Sequence, residues 1–185
     1  MTHPSPQARA NHKNNYTVVR KGNQSVMQHS MAALHEGEWV VDDVLLFYLR
    51  HLVSPTRAGI QSYGHGSHFM EQLLDVDEAG VSAGYNYNNV RRYHRRIGVD
   101  FWGLSQLFIP INKDRNHWLF ARVVFESKSI EMWDSLGADE DSKQFARDVR
   151  RCLYELKHKT PGSDTCVQGA PSFDEWCEGA RKWAT

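Results

Sequence analysis

Apolar residues recur at helical spacing in two long segments of the chain. The first runs from Asp42 to Val53, where Asp42 or Asp43 can cap the N-terminus and Pro55 ends the pattern. The second runs from Ala138 to Lys157 and has its acidic residues early and its basic residues late, as the helix dipole favours. Both are predicted to be amphipathic helices. Their apolar stripes are Val44, Leu45, Tyr48, Leu49 and Leu52 in the first, and Phe145, Val149, Cys152, Leu153 and Leu156 in the second.

Short apolar runs between these helices predict strands. Leu107 to Ile111 suits a buried strand, while Trp118 to Phe125 and Ser129 to Trp133 are separated by three polar residues and predict a hairpin. Shorter helices are expected at His68 to Leu74 and Asn88 to Ile97. Strands flanked by helices in this order indicate an α+β domain.

The two ends of the chain lack this periodicity. Residues 1–25 are polar and predict a flexible arm, so the single globular domain is expected to span residues 26–185. From Thr160 onward the pattern gives way to turns. No apolar run approaches the roughly 20 residues needed to span a bilayer, and no secretory signal is visible, which favours an intracellular protein.

Charge and composition exclude some functions. The chain has 185 residues and a formal net charge of zero, so no overall field points to nucleic acid or to a membrane. A local basic stretch is most simply a solvated helix face, with an acidic partner surface as the second interpretation. It comprises Arg91, Arg92, His94, Arg95 and Arg96.

The cysteines favour a thiol role over a structural one. Their number is three, with no C-x-x-C pair, which argues against a disulfide framework and against a structural zinc site. Cys152 lies on the apolar stripe of the long helix and is predicted to be a small buried hydrophobe. Cys166 and Cys177 both follow turn-rich sequence, and the local sequence leaves the choice of a nucleophile between them open.

A histidine and an aspartate fall at opposite ends of the predicted hairpin. His117 precedes the first strand and Asp134 ends the second, so antiparallel pairing would make them neighbours. The aspartate would then hold the imidazole in one tautomer, as in a nucleophilic triad. The alternatives are a structural histidine at a strand entrance and an Asx-turn at Asp134.

Three sequence blocks resemble the Ulp1/SENP-like SUMO protease family. Residues 38–49, EWVVDDVLLFYL, resemble the family's opening "W-L-N-D-x-x-I-x-F-Y". Residues 90–93, VRRY, followed by 108–112, FIPIN, and by His117-Trp118, are similar to "V-x-R-W … I-F-I-P-I-N … H-W". Residues 130–137, IEMWDSLG, are similar to "I-x-x-Y-D-S-L-G".

The resemblance implies a papain-like cysteine protease fold and a Cys-His-Asp triad with a glutamine that stabilises the oxyanion. By their order in the chain, Gln168 takes the oxyanion role and Cys177 the nucleophile role, beside His117 and Asp134. Trp39 and Trp118 match aromatic residues that line a tunnel for the substrate's Gly-Gly tail, with core packing as the alternative. The C-terminal part departs from the family pattern, since Glu178 follows the cysteine and no apolar helix comes after it, so we expect a divergent or truncated end.

The function implied is a cysteine isopeptidase or peptidase that cleaves after Gly-Gly of SUMO or a related ubiquitin-like modifier. The alternatives are a catalytically inactive module that binds such a modifier, and a protease for another modifier such as NEDD8. No metal or organic cofactor is required. The expected partners are SUMO or another ubiquitin-like protein and its conjugates, the expected state is a monomer, and the family suggests the nucleus.

Overall fold

A computed structural model describes residues 16–22, 24–53, 61–96, 100–137, 139–159 and 177–182, the last of these by their backbone alone. The strands are β1 Thr17–Lys21, β2 Gln24–Met27, β3 Ser62–Gly64, β4 Gln106–Lys113, β5 His117–Val124, β6 Ser129–Asp134 and β7 Cys177–Lys182. The helices are α1 Gln28–Ala32, α2 Asp42–Tyr48, α3 His68–Leu73, α4 Tyr87–Val90, α5 Tyr93–Arg96 and α6 Glu140–Lys159.

The larger sheet has five strands in the order β3-β4-β5-β6-β7. β3 runs parallel to β4, the three strands β4, β5 and β6 are antiparallel, and β7 runs parallel to β6. The predicted hairpin is therefore confirmed, with Val123 opposite Ile130 and Phe120 opposite Trp133. The α+β class is confirmed as well, because this mixed sheet packs against helices.

The core lies between one face of this sheet and α6. Alternate residues of β4, β5 and β6 are buried on that face, as the period-two geometry of strands requires. Burial of each large aliphatic side chain of this kind stabilises the fold by about 1.5–3 kcal/mol. Cys152 of α6 is 1% exposed, so its predicted place in the core is confirmed, and burial raises the pKa of its thiol. The sheet residues are Leu107, Ile109, Leu119, Ala121, Val123, Ile130 and Met132, and the α6 residues include Ala146, Val149 and Leu153.

The first long helix ends in a different geometry from the one predicted. α2 stops at Tyr48 and a π-helical turn, Leu49–Val53, follows it. Its N-cap is Val41 rather than the predicted Asp42 or Asp43, which instead place negative charge in the first turn. Close packing fixes this region, since a Cβ added at Gly64 would lie 2.6 Å from the Cβ of Leu49.

Two further predictions need correction. The polar arm was expected to reach residue 25, but β1 and β2 pair as an antiparallel hairpin, and the apolar Val26 that anchors it is 1% exposed. Residues 1–15 lie outside the described part. The helix expected over Asn88 to Ile97 is broken into α4 and α5. No helix among the described residues has the length and apolar character needed to cross a membrane.

Candidate active site

The turn between β4 and β5 fixes the start of β5, where His117 lies. Asp114 and Arg115 have φ values of 52° and 56°, so both occupy the left-handed region that tight hairpin turns use. The guanidinium group of Arg115 donates hydrogen bonds to the backbone carbonyls of Asp77 and Glu78. The turn is therefore attached to the loop that follows α3, and this attachment limits movement of the first residue of β5.

His117 and Asp134 form a direct hydrogen bond. In the β5–β6 register Asp134 lies opposite Leu119, two residues from His117 on the same face of the sheet. The distance between His117 Nε2 and Asp134 Oδ1 is 2.7 Å, and the two side chains are 16% and 4% exposed. The imidazole thus reaches solvent while its carboxylate partner is buried. The juxtaposition predicted from the hairpin is present.

Asp134 is also held by its own chain. Its Oδ1 accepts a hydrogen bond of 2.9 Å from the backbone N–H of Leu136, which is the Asx-turn considered as the alternative interpretation. Its Oδ2 lies 3.3 Å from the hydroxyl oxygen of Ser142, at the start of α6. The turn and the pairing with His117 are therefore compatible, because one carboxylate serves both.

This arrangement makes the Nδ1 atom of His117 the nitrogen available for chemistry. When Nε2 carries the proton that it donates to Asp134, Nδ1 presents a lone pair. A carboxylate partner also stabilises the imidazolium ion once Nδ1 has taken a proton. The pair has the geometry that a general base needs, and its strand framework orients it before any substrate arrives.

The two tryptophans predicted to bind substrate lie in different environments. Trp39 is 55% exposed, so core packing does not explain it. Trp118 is half-buried, and its indole N–H donates a hydrogen bond of 2.9 Å to the carbonyl of Val40. This bond attaches the segment that carries Trp39 to the residue next to His117. The tunnel itself stays a prediction.

The structure does not bring Cys177 to the His117–Asp134 pair. Cys177 opens β7 opposite Ser129, whereas Asp134 lies opposite Lys182 at the other end of the same register. Five residues along a strand separate the two rows by about 16 Å, far beyond contact distance. The resemblance also implied a helix opening at this cysteine, but the residue begins a strand. Gln168 and Cys166 lie outside the described residues.

Sequence reasoning missed a charged cluster beside the pair. Lys113, the cross-strand neighbour of His117, forms ion pairs with Asp139 at 2.8 Å and with Asp141. Hydrogen bonding to Lys113 holds the pKa of the Asp139 carboxyl well below its usual range. Asp139 also accepts a hydrogen bond from the backbone N–H of Ser142. Acidic residues just before a helix are a recognisable capping signal, but no sequence pattern connected them with His117.

A family comparison identifies the class of protein. Residues 38–160 match the Ulp1 protease family, C-terminal catalytic domain, and the chain belongs to this family. Three curated relatives are similar at low identity. Ubiquitin-like-specific protease 1 of Saccharomyces cerevisiae is 23% identical over 82% of this chain and 23% of its own length. Ubiquitin-like-specific protease 1A of Arabidopsis thaliana is 25% identical over 71% of this chain and 26% of its own. Sentrin-specific protease 7 of Homo sapiens is 24% identical over 57% and 11%.

Solved structures share the fold. The C-terminal Ulp1 protease domain in complex with Smt3, the yeast ortholog of SUMO, superposes with a TM-score of 0.70 at 20% identity, covering 95% of this chain and 70% of that one. A de-sumoylating protease superposes with a TM-score of 0.62 at 17% identity, covering 90% and 62%. The expected papain-like α+β fold of the Ulp1 type is thereby confirmed. The chain spans about a quarter or less of the length of its curated relatives.

Proposed function

We propose that this domain is a cysteine isopeptidase or peptidase that cleaves after the C-terminal Gly-Gly of SUMO or a related ubiquitin-like modifier. The observation that carries the proposal is the 2.7 Å contact between His117 and the buried Asp134. Family membership supplies the class of nucleophile, a thiol. The names of the relatives indicate modifiers of the ubiquitin-like class as substrates.

The proposed reaction divides cleavage into two steps. His117 Nδ1 takes the thiol proton, and the thiolate attacks the carbonyl carbon of the terminal glycine. The resulting imidazolium ion protonates the leaving amine as the C–N bond breaks, which leaves a thioester. His117 then takes a proton from water, which attacks the thioester, and the proton returns to the sulfur. Asp134 stabilises the imidazolium ion in both steps.

Cys177 is the proposed nucleophile and Gln168 the proposed oxyanion donor, on the strength of the family resemblance. If the resemblance holds for Gln168, its amide N–H groups would lie where negative charge develops on the substrate's carbonyl oxygen. For Cys177 to react with His117, its segment would have to leave the register with β6, in which it lies opposite Ser129. Glu178 follows Cys177 directly in the sequence, and a carboxylate close to a thiol would oppose formation of the thiolate, since a like charge raises a thiol pKa.

A second candidate function follows from the position of Cys177. A module that binds a ubiquitin-like protein without cleaving it would keep the exposed Trp39 and the Trp118 contact with Val40. It would not need Cys177 near His117, and in the described position of β7 the backbone of Cys177 lies opposite Ser129, five residues along β6 from Asp134. Reaction with a thiol-directed probe separates this candidate from a working protease.

The relatives supply the basis for the proposed modifier and for the proposed cellular location. SUMO is the first choice because an Ulp1 domain of the same fold has been solved with its yeast ortholog. NEDD8 and ubiquitin are the competing modifiers. We further propose a monomeric protein that acts in the nucleus on SUMO conjugates.

The experiment uses SUMO with a C-terminal electrophile in place of the terminal carboxylate. The purified protein is compared with its Cys177→Ala and Cys166→Ala variants, and adducts are detected by mass spectrometry. An adduct lost only in Cys177→Ala supports the protease and its assigned nucleophile. Loss only in Cys166→Ala would move the nucleophile role to Cys166.

Binding without an adduct would favour the second candidate function. The same probe built on NEDD8 and on ubiquitin tests the modifier in parallel. If no modifier is bound and no adduct forms while the protein unfolds cooperatively, both candidate functions are contradicted.

A further inference from the structure

The start of α6 places a buried hydroxyl group against the carboxylate of Asp134. Ser142 is 0% exposed, and its Oγ lies 3.3 Å from Asp134 Oδ2. This carboxylate oxygen is the one that does not contact His117, whose bond is to Oδ1. A donor on Oδ2 therefore restricts rotation of the carboxylate about its Cβ–Cγ bond and keeps Oδ1 directed at the imidazole.

A second carboxylate competes for the same hydroxyl proton. Ser142 Oγ also lies 2.9 Å from Asp139 Oδ1, and a serine hydroxyl has one proton to donate. Asp139 is itself paired with Lys113 through its other oxygen, at 2.8 Å. The positive charge of Lys113 weakens the hold of Asp139 on the hydroxyl, since part of the carboxylate's charge is already neutralised. A chain of polar contacts thus runs from Lys113 on β4, through Asp139 and Ser142 at the start of α6, to Asp134 on β6.

We propose that Ser142 is a positioning residue for Asp134, and that the Lys113–Asp139 ion pair sets how much of the Ser142 hydroxyl proton Asp134 receives. In this arrangement Ser142 acts through Asp134 on His117 and does not touch substrate. Its importance for catalysis rests on the proposed function, but the hydrogen bond can be tested without any activity.

The test observes the His117 ring directly in the whole protein labelled with ¹⁵N-histidine. Two-bond couplings identify the tautomer, and exchange with water reports how firmly Nε2–H is held by Asp134. Ser142→Ala is expected to speed this exchange about tenfold, the factor for loss of a hydrogen bond to a charged group at the weak end of its usual strength. Ser142→Thr keeps the hydroxyl and is expected to restore the slow exchange.

A matched control separates positioning from general destabilisation. Ser30 is also buried, at 1% exposure, and its hydroxyl donates a 2.6 Å hydrogen bond to Asp43. Ser30→Ala removes a comparable serine–aspartate bond that involves neither Asp134 nor Asp139, and it is expected to leave His117 exchange unchanged. Equal His117 exchange in Ser142→Ala and Ser30→Ala would overturn the proposal.

The variant Asp139→Asn tests the competition for the Ser142 hydroxyl proton, and it is expected to change the His117 exchange rate in the opposite direction to Ser142→Ala. Asp139 is exposed, and asparagine retains the capping ability of this position, so the fold is expected to persist. Because a neutral acceptor binds a hydroxyl about half as strongly as a carboxylate, more of the proton goes to Asp134 and exchange slows, by about threefold. Faster exchange in Asp139→Asn would contradict the competition. A lack of reaction with the SUMO, NEDD8 and ubiquitin probes, with these shifts present, would contradict the proposed protease and leave the Ser142 hydrogen bond standing.

Discussion

Two histidines at strand ends of the same sheet differ in nearly every chemical respect. His117 begins β5, has a side chain that is 16% exposed and contacts a buried carboxylate. His65 follows β3, is 5% exposed and stacks on Phe69 with ring centroids 4.3 Å apart. Burial, followed by the positive charge of Arg50, lowers the pKa of His65 to about 3.

The difference shows what makes an imidazole useful as a base. His65 is buried against the aromatic rings of Tyr63 and Phe69 and lies near the positive charge of Arg50, so its protonated form is strongly disfavoured. His117 has a carboxylate partner for its Nε2 atom and a side chain that is 16% exposed. Both histidines lie at a strand end. The difference in their chemistry comes from the carboxylate of Asp134, which the neighbouring strand β6 places against His117.

The largest expected effect comes from removing the partnered imidazole. His117→Ala is expected to lower the rate of adduct formation with the SUMO electrophile by at least about 10³-fold, because no other base lies beside Asp134 in the proposed mechanism. The rate is measured by gel shift under pseudo-first-order conditions. The His65→Phe variant is the control and is expected to react at nearly the wild-type rate. Equal losses in both variants would contradict the distinction between the two histidines.

Asp134→Asn is expected to have the next largest effect on the same rate, a loss of about 10²–10³-fold. Asparagine still accepts the hydrogen bond from Leu136, but it cannot stabilise the imidazolium ion and allows the other tautomer. The thermal midpoint is measured alongside, since Asp134 is buried. A rate within a factor of about three of wild type would show that the carboxylate has only the structural role of an Asx-turn.

His65 is expected to make stability depend on pH. Its pKa is about 3 in the folded protein and near 6.5 when unfolded, so between these values the unfolded chain binds the extra proton. The contribution of His65 to the free energy of unfolding is retained above about pH 6.5. Below that pH the free energy of unfolding falls by up to about 1.4 kcal/mol per pH unit, or about 2 kcal/mol from pH 7 to pH 5.

Urea unfolding at pH 7 and pH 5 measures this difference. In His65→Phe the contribution of His65 is removed, and the pH dependence is expected to shrink by that amount. The exposed His68 offers a matched control, because His68→Gln removes a histidine from the same segment. A pH dependence that shrinks only in His68→Gln would refute the assignment to His65.

Two glycine substitutions compare the packing around the two histidines. Their expected effects, on the free energy of unfolding, are the smallest of those predicted. Gly64→Ala, next to His65, places a Cβ 2.6 Å from that of Leu49 and is expected to destabilise the protein by about 1–3 kcal/mol. Gly137→Ala, near Asp134, meets no atom within 4 Å and strains only a φ of 103°, which costs about 1 kcal/mol. Chemical denaturation measures both. The reverse order would show that the His65 region is the looser of the two.

The hairpin and the long helix could be predicted because their patterns are local. Alternating apolar residues define β5 and β6, and their pairing brings His117 and Asp134 together without further information. The segment that contains α4 and α5 has no comparably strong apolar periodicity, so the break between these two helices could not be predicted. The β1–β2 hairpin was missed because five of its nine strand residues are polar and β1 is exposed along its whole length.

The environment of the site depends on contacts far apart in sequence. Ser142 reaches Asp134 only because α6 begins where β6 ends, and the Trp118 bond to Val40 spans 78 residues. Order along the chain indicated Cys177 as nucleophile, but a parallel strand carries its start away from Asp134. Strand direction of this kind is a tertiary property that residue order does not contain.

Turnover of a SUMO precursor with a reporter linked after Gly-Gly tests the central claim most directly. We predict that the protein releases the reporter at a rate that falls at least about 10³-fold in His117→Ala and is unchanged in His65→Phe. Cleavage that persists in His117→Ala would contradict the role of the His117–Asp134 pair. Absence of cleavage by wild-type protein that binds the precursor would contradict the protease and leave the binding module.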